Sequence, residues 1–212
     1  GGTGNIKYQI NVGPTASTSA FGWGTDTWGS GTWGTASTTS NVTLEARQWS
    51  LDNFGQLLIA TVLNGGAFEW NPNSGVTTRA TAITNAPTKS RFMLVSGDDR
   101  HVICFGTETT IGTSSTQDNM FIRFSDQEDP ATWTPTATNT AGSQRLTDGN
   151  QINAAVRSRG VILIYTDTAL YQMQFIGPPF TFGFRQLGTN CGAVGINAAV
   201  DVNGIAYWMG ND

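Results

Sequence analysis

Charge is scarce in this chain. Asp, Glu, Lys and Arg together make up 12% of its 212 residues, about half of the roughly 25% that soluble domains carry. A long solvated helix or a charge-rich disordered tail is therefore excluded. The net charge is -4 and no Lys/Arg cluster exists, which argues against a protein that wraps phosphate, because such proteins gather cations on one face. There is one histidine, His101, and there are two cysteines, Cys104 and Cys191. A secreted disulfide scaffold normally has more cysteines, so Cys104, inside an apolar run, reads as a buried thiol, and assembly in a reducing cytoplasm fits. A Cys104–Cys191 disulfide remains the alternative. No run approaches the roughly 20 apolar residues of a membrane helix, and the Gly-Gly start has no basic-then-apolar leader. A chain that opens on glycine instead of methionine is expected to be processed or to be a fragment.

Glycine, threonine and short apolar runs fill the space that charge leaves. Residues 153–175 read as strand 153–156, a turn at 157–160, strand 161–165, a turn at 166–168 and strand 169–175. Short Val/Ile/Tyr-rich runs broken by Gly or polar pairs predict antiparallel meanders rather than helices. Residues 197–208 repeat the opening Asn-Ala-Ala-Val, then a turn ending in Gly204 and an apolar strand, without the two arginines of the first turn. Looser copies occupy 50–70 and 91–106, turning at 53–55 and 97–100. The turns lie roughly 45, 60 and 45 residues apart, near the period of β-propeller blades. A sheet that cannot bury both faces alone must stack on its neighbours. The expected fold is all-β, with β-propeller-like repeats over 44–212, an incomplete propeller expected to continue beyond residue 212.

Residues 1–43 differ in kind. One strand is expected at 6–12, and Trp-Gly then recurs every five residues at Trp23, Trp28 and Trp33. That spacing fits neither strand nor helix, so the segment is expected to be an extended arm. The favoured reading folds it over its own domain; the sharper one docks it on another subunit, since exposed tryptophans mark interfaces. Trp23, Trp28, Trp33 and Trp133 are the interface candidates.

Little in the sequence points to catalysis. A triad needs a base beside a nucleophile, and His101 follows Asp98, Asp99 and Arg100 in what reads as a solvated turn. No second His or Cys completes a metal site. Asp126, Glu128 and Asp129 lack the spacing of an EF-hand loop; Pro130 makes the run a turn held by its own hydrogen bonds. Residues 50–55 are similar to a sialidase Asp-box with one extra residue before Gly55, and read as a hairpin turn. No catalytic residue, cofactor or metal is expected.

Strand 120–124 ends in Arg123-Phe124-Ser125-Asp126; an Asp129-Pro130 turn and Trp133 follow, then Leu-Gly-Thr-Asn-Cys-Gly at 187–192 and Tyr-Trp-Met-Gly-Asn-Asp at 207–212. Over residues 21–212 this resembles the propeller-bearing tail proteins of double-stranded DNA bacteriophages: tail-hub, nozzle or packaged-DNA stabilisation proteins at the head-to-tail junction. The resemblance implies a structural virion protein, assembled in the host cytoplasm into a homo-oligomeric ring beside portal, adaptor or other tail proteins, with no membrane span. It also implies passive contact with DNA in the channel, where an acidic balance would let phosphates slide. The alternative class is a glycan- or receptor-binding propeller whose tryptophans stack on a host-surface sugar. A glycoside hydrolase would need paired carboxylates on facing blades, and nothing points to them.

Overall fold

The computed structural model describes residues 48–97 and 99–210. The expected arm, its strand 6–12, and Trp23, Trp28 and Trp33 lie outside the described residues. So does Asp98. Residues 49–212 form one compact unit, and its described part is all-β. β1 (Trp49–Phe54), β2 (Leu57–Val62), β3 (Ala67–Trp70) and β4 (Thr81–Ala82) pair in that order as one antiparallel sheet. β5 (Phe92–Val95), β6 (Val102–Phe105), β7 (Phe121–Phe124) and β8 (Gly142–Arg145) form a second. β9 (Ile152–Ser158), β10 (Val161–Thr166), β11 (Ala169–Gly177) and β12 (Thr181–Thr189) form a third. β13 (Ala199–Val202) and β14 (Ile205–Trp208) pair as a two-stranded fourth. No helix among the described residues is long and apolar enough to cross a membrane.

Each sheet is a meander of neighbours in sequence, because its strands are joined by connections that suit antiparallel pairing. Asn203 (φ 57°) and Gly204 (φ 84°) form the two-residue turn between Val202 and Ile205. Two positive φ values make a type I′ turn, whose twist matches that of the strands.

The sheets do not share strands; they stack. Phe54, Ile59 and Ala67 of the first sheet pack against Met93, Val95, Val102 and Cys104 of the second. The alternate residues Phe92, Leu94, Ile103 and Phe105 face the third sheet, where they meet Ile162, Ile164 and Met173. Successive side chains of a strand point to opposite faces, so a sheet covered on both sides needs unbroken apolar strands. β5 (FMLV) and β6 (VICF) are such runs, buried at every position. A third cluster joins Tyr165 and Leu163 of the third sheet to Ala193, Ala198 and Ala199, at the fourth. The first strands lie side by side, β1 along β5 and β9 along β13.

Trp133 departs from expectation. As an interface candidate it needed an exposed ring, but it is 0% exposed within the cluster between the first two sheets. Its indole Nε1–H donates to the Pro130 carbonyl at 2.7 Å. Tucking the ring under its own Asp-Pro turn satisfies the one polar atom, so the rest of the indole can be buried at no hydrogen-bond cost.

Candidate site at the seams between the sheets

Polar side chains at the ends of the first strands tie the sheets together. Asp52 of β1 accepts from the Val95 amide of β5 through Oδ2 at 2.8 Å. Arg157 of β9 donates to the Val95 carbonyl at 2.7 Å and pairs with Asp52 at 2.9 Å. Three sheets therefore meet at one carboxylate and one guanidinium. The arrangement repeats one sheet on: Ser158 donates to Asp201 Oδ2 at 2.8 Å, and Arg159 donates to the Asn203 carbonyl. Here lies the reason that the repeat 197–204 lacks arginines. Its Asp201 and Asn203 accept what Ser158 and Arg159 of the first copy donate.

Between the second and third sheets opens a cleft of about 510 Å³, lined among others by Ser96, Asp99, Gln127, Arg157, Met173 and Phe182. Behind it stands His101, which corrects the expectation of a solvated turn: the residue is 0% exposed. The six-residue connection between Val95 and Val102 folds inward because Ser96 and His101 pair across it. Ser96 N–H donates to the His101 carbonyl at 2.9 Å, and His101 N–H to Ser96 Oγ at 2.8 Å. Rings from Phe124, Phe175 and Phe182 surround the imidazole, with centroids at 6.3, 5.7 and 5.0 Å. Nδ1 lies 2.9 Å from Asp99 Oδ2, and Nε2 lies 3.0 Å from Thr140 Oγ1.

Carboxylate, imidazole and hydroxyl in series resemble a nucleophilic triad in outline. The hydroxyl is already engaged, however. Thr140 Oγ1 donates to Asp126 Oδ1 at 2.6 Å and accepts from Gln127 N–H at 2.9 Å. Its proton is directed at Asp126, not at His101, so the imidazole is not placed to take it as a general base.

The acidic turn is saturated in the same way. Asp126 Oδ1 also accepts from the amides of Gln127 (2.9 Å) and Thr140 (2.7 Å), while Asp129 accepts from Ala131 N–H (2.8 Å) and Thr132 Oγ1 (2.7 Å). Glu128 sits at φ 60° and pairs with Arg100 at 2.7 Å in solvent, where such pairs contribute little. Among the described residues no group of three His, Cys, Asp or Glu is placed to hold a metal ion.

The second sheet also buries ions that the sequence did not single out. Glu108 accepts from Thr88 Oγ1 and, at 2.7 Å, from Gly112 N–H. Arg123 donates to the Thr109 carbonyl at 2.7 Å and lies over the Phe121 ring. Burial lowers the Arg123 guanidinium below its ordinary value, partly offset by the Glu108 charge. Cys104 beside them is pushed up to about 12 by burial and is an inert free thiol; Cys191 is also free.

Three carboxyls stand below their ordinary value. Burial alone would raise Asp99, Asp126 and Asp167, but hydrogen bonds outweigh it: from His101 and Ser96 to Asp99, from Thr140 and Gln127 to Asp126, and from Asn150 and Gln151 to Asp167. A depressed carboxyl contributes stability above its unfolded value, about 3.9 for Asp, and loses it as pH falls through the folded value. Denaturation midpoints should therefore drop most steeply below about pH 4. Asp126→Asn should make that drop shallower, and an unchanged slope would show that Asp126 does not take part.

No protein-family model matches this chain, and no curated protein matches it either.

Proposed function

We propose that this chain is a structural virion subunit of a bacteriophage, part of a tail-hub, nozzle or head-to-tail ring, built on propeller-like repeats and without enzymatic activity. The observation that carries the reading is the serial stack. Three four-stranded meanders and a two-stranded fourth sheet follow one another in chain order, each packs on the next, and the pairs Asp52–Arg157 and Ser158–Asp201 tie first strands of different sheets. Radial repetition of such sheets is how propellers are built. The engaged Thr140 hydroxyl and the saturated acidic turn fit a scaffold rather than a reactive centre. Low charge with an acidic balance suits a subunit that DNA slides past in a channel.

The Trp-Gly arm would supply the contact to a ring neighbour or to an adjoining portal, adaptor or tail protein. Each indole can bury roughly 150–250 Å² on docking, worth several kcal/mol at about 25 cal/mol per Å² before the ordering of a Gly-rich chain is subtracted. Deleting residues 22–34 should leave melting unchanged and abolish the oligomer seen by light scattering and its incorporation into particles. A folded full-length monomer, retained on a glycan array, would overturn this in favour of the glycan-binding alternative.

A further inference from the structure

We propose that His101 is held as an imidazolium between two carboxylates, a proton-dependent clasp on the seam between the second and third sheets. The argument is a count of protons. Ionised Asp99 can only accept, so the 2.9 Å contact requires a proton on Nδ1. Thr140 Oγ1 owns one proton and can accept two. Its 2.6 Å contact with Asp126 Oδ1, another acceptor, commits that proton to the carboxylate. The Gln127 amide, whose one proton is shared with Asp126 Oδ1, also points at this oxygen at 2.9 Å. What remains for the ring is a lone pair, so Nε2, 3.0 Å away, must donate. The reverse arrangement, with Thr140 donating to Nε2, would leave two oxygens 2.6 Å apart with no proton between them.

The surroundings agree with a cation. Asp99 faces the ring from its own hairpin, and Asp126 faces it through Thr140 from the loop after β7. From β7, β11 and β12 the rings of Phe124, Phe175 and Phe182 stand against the imidazole, edge-on or tilted. Arg157 of β9 shares the cleft with Asp99, but its guanidinium is held by Asp52 and the Val95 carbonyl. Arg100, next in sequence, is held by Glu128.

Losing the proton would set Nε2 and Thr140 Oγ1 lone pair against lone pair, or break the Thr140–Asp126 bond. Either change reaches the third sheet, because Thr181 Oγ1 donates to the Thr140 carbonyl at 3.0 Å. Thr181 itself is held at φ 60°, a left-handed value that a β-branched residue adopts only when its neighbours enforce it.

The chain's single histidine makes the test direct. In a ¹⁵N-labelled full chain at pH 7.5, both ring nitrogens of His101 should show the shifts of protonated imidazolium. Thr140→Val, which removes the acceptor of Nε2, should convert the ring to its neutral form at the same pH. Amide exchange at Thr181 and Phe182, corrected for its intrinsic pH dependence, should then accelerate at least tenfold. One unprotonated nitrogen in the parent chain at pH 7.5 would overturn the proposal, and that spectrum decides the question even if the variant fails to fold. A ring that stays doubly protonated in Thr140→Val would overturn it as well, since the proton count runs through that hydroxyl.

Discussion

Replacing Trp133 with alanine should cost about 3–5 kcal/mol of folding stability, the range for deleting a large buried aromatic side chain. The ring is 0% exposed and packs among Ile59, Ile83, Met93 and Val102, so its removal leaves a cavity between two sheets that are each held by their own ladders and cannot easily collapse inward. The loss has a polar part too, because the partly exposed Pro130 carbonyl loses its indole donor at 2.7 Å, a net loss of about 0.5–1.5 kcal/mol for an ordinary hydrogen bond. Trp133→Phe, which restores most of the volume but not the donor, should fall between parent and alanine variant. Urea denaturation measures all three. A Trp133→Ala loss below about 1 kcal/mol would put the indole at the surface, where the interface reading had it.

The second large effect is expected at Gly192. A Cβ there would overlap the Asp167 carbonyl group and crowd the Thr168 amide nitrogen, which are backbone atoms with no rotamer to give way. The segment cannot slide aside, since Cys191 N–H bonds the Thr168 carbonyl and Ala193 N–H bonds the Thr166 carbonyl, both at 3.0 Å. Asn153 adds a buried bond to the Ala193 carbonyl at 2.7 Å. Gly192→Ala should therefore reach or exceed the top of the 1–3 kcal/mol range typical of overpacking, about 3 kcal/mol. The damage should concentrate where the fourth sheet meets the third, appearing as early proteolysis within residues 191–210. Gly195→Ala, with nothing within 4 Å of the added carbon, should melt like the parent. Equal melting of the two variants would mean that Gly192 does not approach the Asp167 turn this closely.

Much of the local architecture follows from the sequence alone. Runs such as FMLV, VICF and VILIY, broken by Gly or polar pairs, place strands and hairpins because side chains alternate across a pleat and tight turns need residues that tolerate positive φ. The first Asn-Ala-Ala-Val lies wholly within β9, which extends the reading of 153–156 only to Ile152–Ser158, whereas in the second copy β13 begins at Ala199. The double-sided burial of β5 and β6 matches strands with no polar position.

The partners of its polar residues were settled by tertiary structure. Gly-Asp-Asp-Arg-His is a hydrophilic string that, taken locally, belongs in water; His101 is buried because Phe175 and Phe182 arrive from the third sheet and Thr140, with Asp99, completes its hydrogen bonds. Trp133 sits in a Thr-rich loop with no strand periodicity, yet the first two sheets close over it. Asp52 and Arg157 are 105 residues apart and meet only once β1, β5 and the Arg157 side chain from β9 are brought together. Periodicity reports which face of its own strand a side chain occupies. Whether that face meets water, an apolar ring or an opposite charge depends on strands far away in the chain, and for a polar residue the presence or absence of such partners decides whether burial costs stability or contributes to it.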